Sequence, residues 1–543
     1  MQANLDPGSQ PHNKFLSYSL STEDHSSASA EPENALSYTE TSDICTIGLL
    51  PFELVTQVFD YALDTPQPLF MAISLSQVST QWRAIMLQSP LHWTNVVLDF
   101  DIYANEPSGL VHRGCSTEFW EELLARSGDL PLTVTVTGSL VNKKGQKEDS
   151  RSLWSTPPQR RFPRNSEAAL EAIAVHASRW CDVYLRTTDP NEVYTRLDMM
   201  GVNFVNMRFL DMTSENDEDR YPYRRMCPSF LEHSPGLEAA IIPLDIYPMR
   251  PSPHQALHVP SLRHLVFEKQ QITGFTIITQ LMPHLMSLQI NEITLSPPAG
   301  LHYAFVGFAP TQSLLQKLTI NFIPREAEDT LGQQLTFQTL PNLEELYLHC
   351  EECPSPQMSL NRILTGLLQT TLTAGPLNPT SVQSAIFVQQ LCLFFRRQND
   401  AAMKAQCAGL KTLDLQNVVR SSNSLHELLL SLPPSLTSLD IGEARNEYND
   451  DGLSIFDAES FSLLSGQDGH VLPALKHLWM SVDELSPYMD LALMSMVKTR
   501  CKSGCDVELE LEQDGLSAER KEFLDAQAEL ISAEGPGQVV LLW

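Results

Sequence analysis

His349-Cys350-Glu351-Glu352-Cys353 is the run that first suggests metal chemistry. Zinc takes four such ligands, usually from two paired motifs. The second pair is missing, because Cys501 and Cys505 stand four apart and far along the chain. His426-Glu427 lacks the second His of a zinc-hydrolase helix. The chain has no Gly-x-Ser-x-Gly elbow, no Walker loop and no Gly-x-Gly-x-x-Gly turn. A triad gathered from scattered Ser, His and Asp would leave no such trace. The expectation is therefore a non-catalytic protein with no metal and no cofactor, whose cysteines fill core space.

The chemistry that remains is that of binding surfaces. One pattern, Leu-x-x-Leu-x-Leu, returns at Leu262/Leu265/Phe267, Leu285/Leu288/Ile290, Leu315/Leu318/Ile320, Leu343/Leu346/Leu348, Leu410/Leu413/Leu415, Leu436/Leu439/Ile441 and Leu475/Leu478/Met480. Trp93/Val96/Leu98 and Trp180/Val183/Leu185 are variants with Trp in front, and weaker copies start at Met207, Leu237 and Cys505. Alternate residues of a strand face opposite sides, so the second and third apolar positions point together into a core. The residues between them point outward. Glu345, Tyr347, Asp414, Asp440 and Trp479 are the outward residues expected to bind a partner, with the aromatic pair as anchors.

One such unit cannot bury its apolar face alone, so neighbours must stack into a solenoid. The pattern resembles leucine-rich repeats, with a departure. The family places Asn or Cys three residues after the third apolar position, where this chain has Gln270, Ile293, Glu351, Val418 or Ala444. The resemblance implies an irregular solenoid of parallel strands and helices over residues 93–543. The 67-residue step from Leu343 to Leu410 leaves room for two units or for one unit with an insertion. Residues 138–165 and 214–228 read as exposed loops, and the apolar end Val539-Val540-Leu541-Leu542-Trp543 reads as a docked strand.

Residues 1–46 are rich in Ser, Thr, Asn, Pro and Glu and are expected to be a disordered tail. The composition changes at Ile47. Leu50-Pro51-Phe52-Glu53-Leu54-Val55 opens a helix, with Pro51 suited to its first position and Glu53 to its first turn. Leu54, Val58 and Tyr61 form one apolar row, and Val55, Phe59 and Ala62 a second. A small domain can cover one row while the other invites a partner; the same spacing equally fits a helix buried in a larger core. Leu75, Val78, Trp82 and Ile85 mark a second helix.

Leu50-Pro51-x-Glu53-Leu54-Val55 followed by Val78-x-x-x-Trp82-Arg83 resembles an F-box over residues 47–92, although Ser79-Thr80-Gln81 lacks the basic residue that the family often has there. With the loose repeats, the whole chain looks like the large fungal families of F-box proteins. The fold class expected is α/β, a small helical F-box domain followed by an irregular leucine-rich-repeat solenoid. The resemblance implies a substrate-recognition subunit of a Skp–cullin–F-box (SCF) ubiquitin ligase, with the cullin–RING arm supplying the transfer chemistry. Leu50, Pro51, Glu53, Leu54, Val58, Phe59, Val78, Trp82 and Ile85 would meet the Skp-type adaptor, and the array an unknown target protein. The alternatives are an F-box scaffold acting outside ubiquitination and an enzyme with an unrecognised site.

Charge and hydropathy narrow the partners. Lys+Arg is 36 against Asp+Glu 66, a net charge of −30, which argues against nucleic acid. No apolar run is long enough to span a membrane. Ten cysteines in 543 residues and a start without a basic-then-apolar leader point to the cytoplasm or nucleus.

Overall fold

The computed structural model describes residues 50–63, 68–101, 117–138, 166–188, 190–213, 234–242, 261–267, 284–294, 314–322, 340–350, 379–442, 454–466, 471–482, 486–511 and 516–543, with isolated positions and short pairs between them. The expected tail 1–46, the loop 214–228 and nearly all of the loop 138–165 lie outside the described residues. Contacts divide the chain into two compact units, Met1–Gln57 and Val58–Trp543.

The second unit is α/β. Fourteen strands form one open parallel sheet: β1 (Asn95–Asp99), β2 (Leu132–Gly138), β5 (Trp180–Thr187), β6 (Phe209–Asp211), β7 (Ala239–Ile242), β8 (His264–Phe267), β10 (Ser287–Thr294), β11 (Lys317–Phe322), β12 (Glu345–Cys350), β13 (Thr412–Gln416), β14 (Ser438–Gly442), β15 (His477–Val482), β16 (Asp506–Leu511) and β17 (Val539–Leu542). The two-residue β9 (Gln270–Gln271) pairs with the far end of β10, and β3 (Val141–Asn142) with β4 (Arg160–Arg161) makes a small antiparallel pair. Strand order follows chain order, as a solenoid requires. The weak copies at Met207, Leu237 and Cys505 lead into β6, β7 and β16, and the apolar C-terminus docks as β17. β12 pairs directly with β13, so the long step from Leu343 to Leu410 is one unit with an insertion.

The register explains the leucines. Leu288, Leu318, Leu346, Leu413, Leu439, Leu478 and Val507 lie side by side across the sheet, and Ile290, Ile320, Leu348, Leu415, Ile441, Met480 and Leu509 form the next inward row. All are buried. The lead leucine closes a tight turn before each strand. Leu285, Leu343 and Leu475 donate their N–H to Met282, Leu340 and Leu472, three residues earlier. Pro341 and Pro473 then occupy the second turn position, where a fixed φ near −65° is favoured.

Helices cover the leucine side. Besides α1 (Phe52–Ala62), α2 (Pro68–Val78) and α3 (Thr80–Gln88), these are α4 (Thr117–Arg126), α5 (Ser166–Ala174), α6 (Pro190–Met199), α7 (Pro379–Ala405), α8 (Ser422–Ser431), α9 (Ala458–Ser465), α10 (Asp490–Lys502) and α11 (Ala518–Glu534). From α7 to α11, each packs on the next. The single helix expected across Leu75–Ile85 is two, because Ser79 breaks the run in extended conformation and its Oγ caps Trp82 N–H of α3 at 3.1 Å. Pro51 stands just before α1 rather than within it, its carbonyl accepting from Leu54 and Val55.

Two arginines tie units together through backbone carbonyls. Arg179 donates to Leu130 O at 3.0 Å and to Ser127 Oγ at 2.6 Å. Arg500 of α10, 4% exposed, donates to Leu464 O at the end of α9, to Leu472 O at 2.9 Å and to Val471 O at 3.2 Å. Gly466 follows α9 with φ +66°, and a Cβ there would meet the Arg500 guanidinium 3.0 Å away. Removing the guanidinium orphans buried carbonyls, so Arg500→Leu should lower the unfolding free energy by about 3 kcal/mol in urea titrations. A loss below about 1 kcal/mol would mean that these carbonyls find other donors.

Candidate functional site

Two surfaces hold the residues singled out by the sequence, and they differ in construction. The first is α1. Leu54, Val58 and Tyr61 are 45%, 44% and 84% exposed, whereas Val55 and Phe59 are 2% and 0% exposed. Leu50 is half-buried, and Pro51 and Glu53 are exposed. In the unit that begins at Val58, Phe59 meets Trp82 edge-to-face at 4.9 Å, and His92 bonds Asp60 at 2.8 Å. Trp93 is fully buried and donates to Met86 O at 2.9 Å.

This corrects the outward set. Phe59 and Ile85, 0% and 3% exposed, are turned into their own unit and cannot present surface, because their apolar atoms already have protein neighbours. Trp82 is half-buried against Phe59. Val78, at the end of α2, stays open at 62% exposed.

The second surface is the sheet face opposite the leucines. Its side chains line up across the strands because the strands are in register. Tyr347, Asp414, Asp440, Trp479 and Glu508 are consecutive neighbours on β12 to β16. Four of the five residues expected to bind a partner thus share one row. The fifth, Glu345, stands in the row before it, beside Lys317 and Thr412. Sequence reasoning missed Glu508, because the unit that begins at Cys505 lacks the leading Leu-x-x-Leu.

Contacts within the row are specific. Tyr347 Oη donates to Glu345 at 3.2 Å, and Lys317 Nζ lies 3.1 Å from Glu345 and 4.6 Å from the centre of the Tyr347 ring. His349 Nε2 meets Asp414 Oδ2 at 2.9 Å. Asp414 is 6% exposed, and its Oδ1 has no hydrogen-bond partner. Burial, then the charge and hydrogen bond of Glu345, push the Tyr347 hydroxyl up to about 12. Burial, then the charges of Asp414 and Glu508, raise the Asp440 carboxyl to about 6 against the opposing His477.

The groupings that suggested catalysis have structural uses. His426 Nε2 faces both Asp457 Oδ1 at 2.8 Å and Ser460 Oγ at 3.0 Å, and Nδ1 lies 3.7 Å from the exposed Glu459 carboxylate, so the ring is spent on the first turn of α9. Asp457 is the N-cap of α9, and Ser460 is fully buried within it. Burial alone would raise the Asp457 carboxyl, but hydrogen bonds from Ser460 and His426 hold it below the usual range. Cys501 and Cys505 are buried, which pushes their thiols up to about 11 and about 12 and suppresses the thiolate. His349 and Cys350 are committed to Asp414 and to the core, while Glu351, Glu352 and Cys353 lie outside the described residues. Among the described residues no three His, Cys, Asp or Glu side chains are grouped to hold a metal, and no helix is long and apolar enough to cross a membrane.

No family model matches the chain, and no curated protein matches it.

The raised Asp440 carboxyl makes a stability prediction with a definite sign. The folded state holds this proton more tightly than the unfolded chain, so Asp440 favours folding at low pH and opposes it once ionised above about 6. Asp440→Asn should therefore raise the urea midpoint at pH 7.5, and the gain should shrink as the pH is lowered to 4.5. A gain independent of pH would show that the ionisation of Asp440 is not its origin.

Proposed function

We propose that this chain is the substrate-recognition subunit of an SCF-type ubiquitin ligase. It docks a Skp-type adaptor through its N-terminal helix and offers the open face of the sheet to a target protein. The observation that carries the reading is the divided face of α1: Val55 and Phe59 are buried, while Leu54, Val58 and Tyr61 remain in water on the neighbouring row. An apolar row exposed at helical spacing suits a partner that accepts a helix face. Leu50, Pro51 and Glu53 lead into that row, and Phe59, Trp82 and Ile85 act from behind as packing that holds the helices rigid.

The mechanism is proximity. A target held on the sheet has its lysines brought near the ubiquitin-charged enzyme of the cullin–RING arm, which raises their effective concentration without any catalytic group on this chain. The compartment is the cytoplasm, the nucleus or both.

The test uses the full chain and a purified Skp-type adaptor. Leu54→Asp with Val58→Asp should weaken adaptor binding by about 100-fold, because charges would be buried on the docking row. The thermal melt should stay unchanged, since both side chains are already exposed. Phe59→Ala should instead cost about 3–5 kcal/mol of stability. Unchanged adaptor affinity in the double variant would remove the F-box assignment. Ubiquitin transfer to a co-purified protein separates the ligase role from a scaffold role.

A further inference from the structure

The row on the open face carries a lysine at one end and, among the described residues, none at the other. At the first end, Lys317 sits between the Glu345 carboxylate and the Tyr347 ring. At the second, Asp440, Trp479 and Glu508 follow one another in register on β14, β15 and β16. Neighbouring strands stand about 4.8 Å apart, so Trp479 is flanked by a carboxylate on each side. Among the described residues, neither the Asp440 nor the Glu508 carboxylate has an ion pair or hydrogen bond. Behind them, Asp414 spends Oδ2 on His349 and keeps Oδ1 buried without a donor.

We infer that Asp440, Trp479 and Glu508, backed by Asp414, form a binding site for the head of an arginine side chain in a basic segment of the target protein. The inference rests on the target-binding reading above and names the chemistry of the target. A guanidinium stacks on an indole while its N–H groups reach carboxylates to either side, which a compact ammonium does less well. No grouping of three metal ligands exists among the described residues, which favours an organic cation over a metal. The net charge of −30 draws basic partners from a distance.

The electrostatics of the row supply a signature. Asp440 faces Asp414 on β13, Glu508 on β16, His477 on β15 and, one strand further, Tyr347 on β12. The carboxylates raise its proton affinity and His477 lowers it. An arginine in the site replaces that proton, so binding weakens as the pH falls below about 6.

The probe is a fluorescein-labelled hexa-arginine peptide, titrated by anisotropy against the full-length protein in about 150 mM salt, where long-range attraction is screened. Asp440→Asn with Glu508→Gln should weaken binding by about tenfold. The control pair Glu522→Gln with Glu529→Gln changes the net charge equally on exposed positions of α11, and should weaken it by less than about twofold. Lowering the pH from 7.5 to 5.0 should weaken the wild type more than the Asp440→Asn variant. Circular dichroism shows that each variant is folded. Equal losses for the two pairs, no binding by the wild type, or identical pH profiles would each overturn the site. Adaptor binding reads out α1 alone, so a failed peptide titration beside a successful adaptor pull-down rejects the arginine site and leaves the ligase reading standing.

Discussion

The array depends on one backbone interaction repeated at each step from β6 to β15. The carbonyl just before a strand accepts two N–H groups from the start of the next: Arg263 O takes Met286 and Ser287, Met286 O takes Gln316 and Lys317, and Gln316 O takes Glu344 and Glu345. The series continues through Glu344 O, Lys411 O and Thr437 O, each receiving two donors at 2.8–3.0 Å. Buried peptide groups must be paired, and this pairing sets the phase of each unit against the last. A slip of one residue would turn the leucine rows to water, so the ladder and the core enforce the same register. The two aliphatic rows and the outward row of Tyr347 to Glu508 are consequences of it.

A parallel, in-register sheet also sets like beside like. Where the aligned residues are leucines the effect is stabilising, because aliphatic faces stack without gaps. Where they are carboxylates the effect is costly, and most outward positions offset it. Lys411 meets Glu344 at 2.7 Å, Lys317 meets Glu345, and His349 meets Asp414. Asp440 and Glu508 stand apart from this pattern, with only the His477 ring on the neighbouring strand opposing the rise at Asp440. Uncompensated charge beside a half-buried indole is unfavourable for folding alone and useful for binding a cation.

The leucine spacing made most of the sheet legible, because a three-then-two apolar interval survives in any strand that enters from a tight turn. Prolines before the lead leucines recorded those turns as well. The units at Met207, Leu237 and Cys505 were faint, since Phe209, Ala240 and Val507 fill inward or flanking places without the full pattern. Ser79 was harder, because the apolar positions from Leu75 to Ile85 keep helical spacing straight through a cap that interrupts the backbone. On α1 both apolar rows looked alike in sequence. Burial separates Phe59 from Val58, and burial depends on packing that spacing does not contain. The outward row could be listed but not assembled, because Tyr347 and Asp414 stand 67 positions apart and the insertion between them hides that their strands are adjacent.

The departure from the repeat family's Asn has a physical reading in the same terms. Where the family uses a side chain to bond the turn after the strand, position 418 is a buried valine, and its neighbour Asn417 takes part of the role. Asn417 adopts φ +60°, which asparagine tolerates well, donates its Nδ2 to Cys350 O of the preceding unit at 3.3 Å and its N–H to Gly442 O of the next at 3.1 Å. Elsewhere the pre-strand carbonyls hold neighbouring units together mainly through backbone N–H donors, with the Thr437 hydroxyl adding a bond to Lys411 O at 3.1 Å. A ladder confined to the strand entrance places no demand on the length of the return path. The 27-residue α7 and the segment before it therefore fit between β12 and β13 without disturbing the pairing of Tyr347 with Asp414. The return segments can vary while the strands keep their phase, so the chemistry of the open face is set by a few residues in each strand, and substitutions there change the surface presented without changing the scaffold.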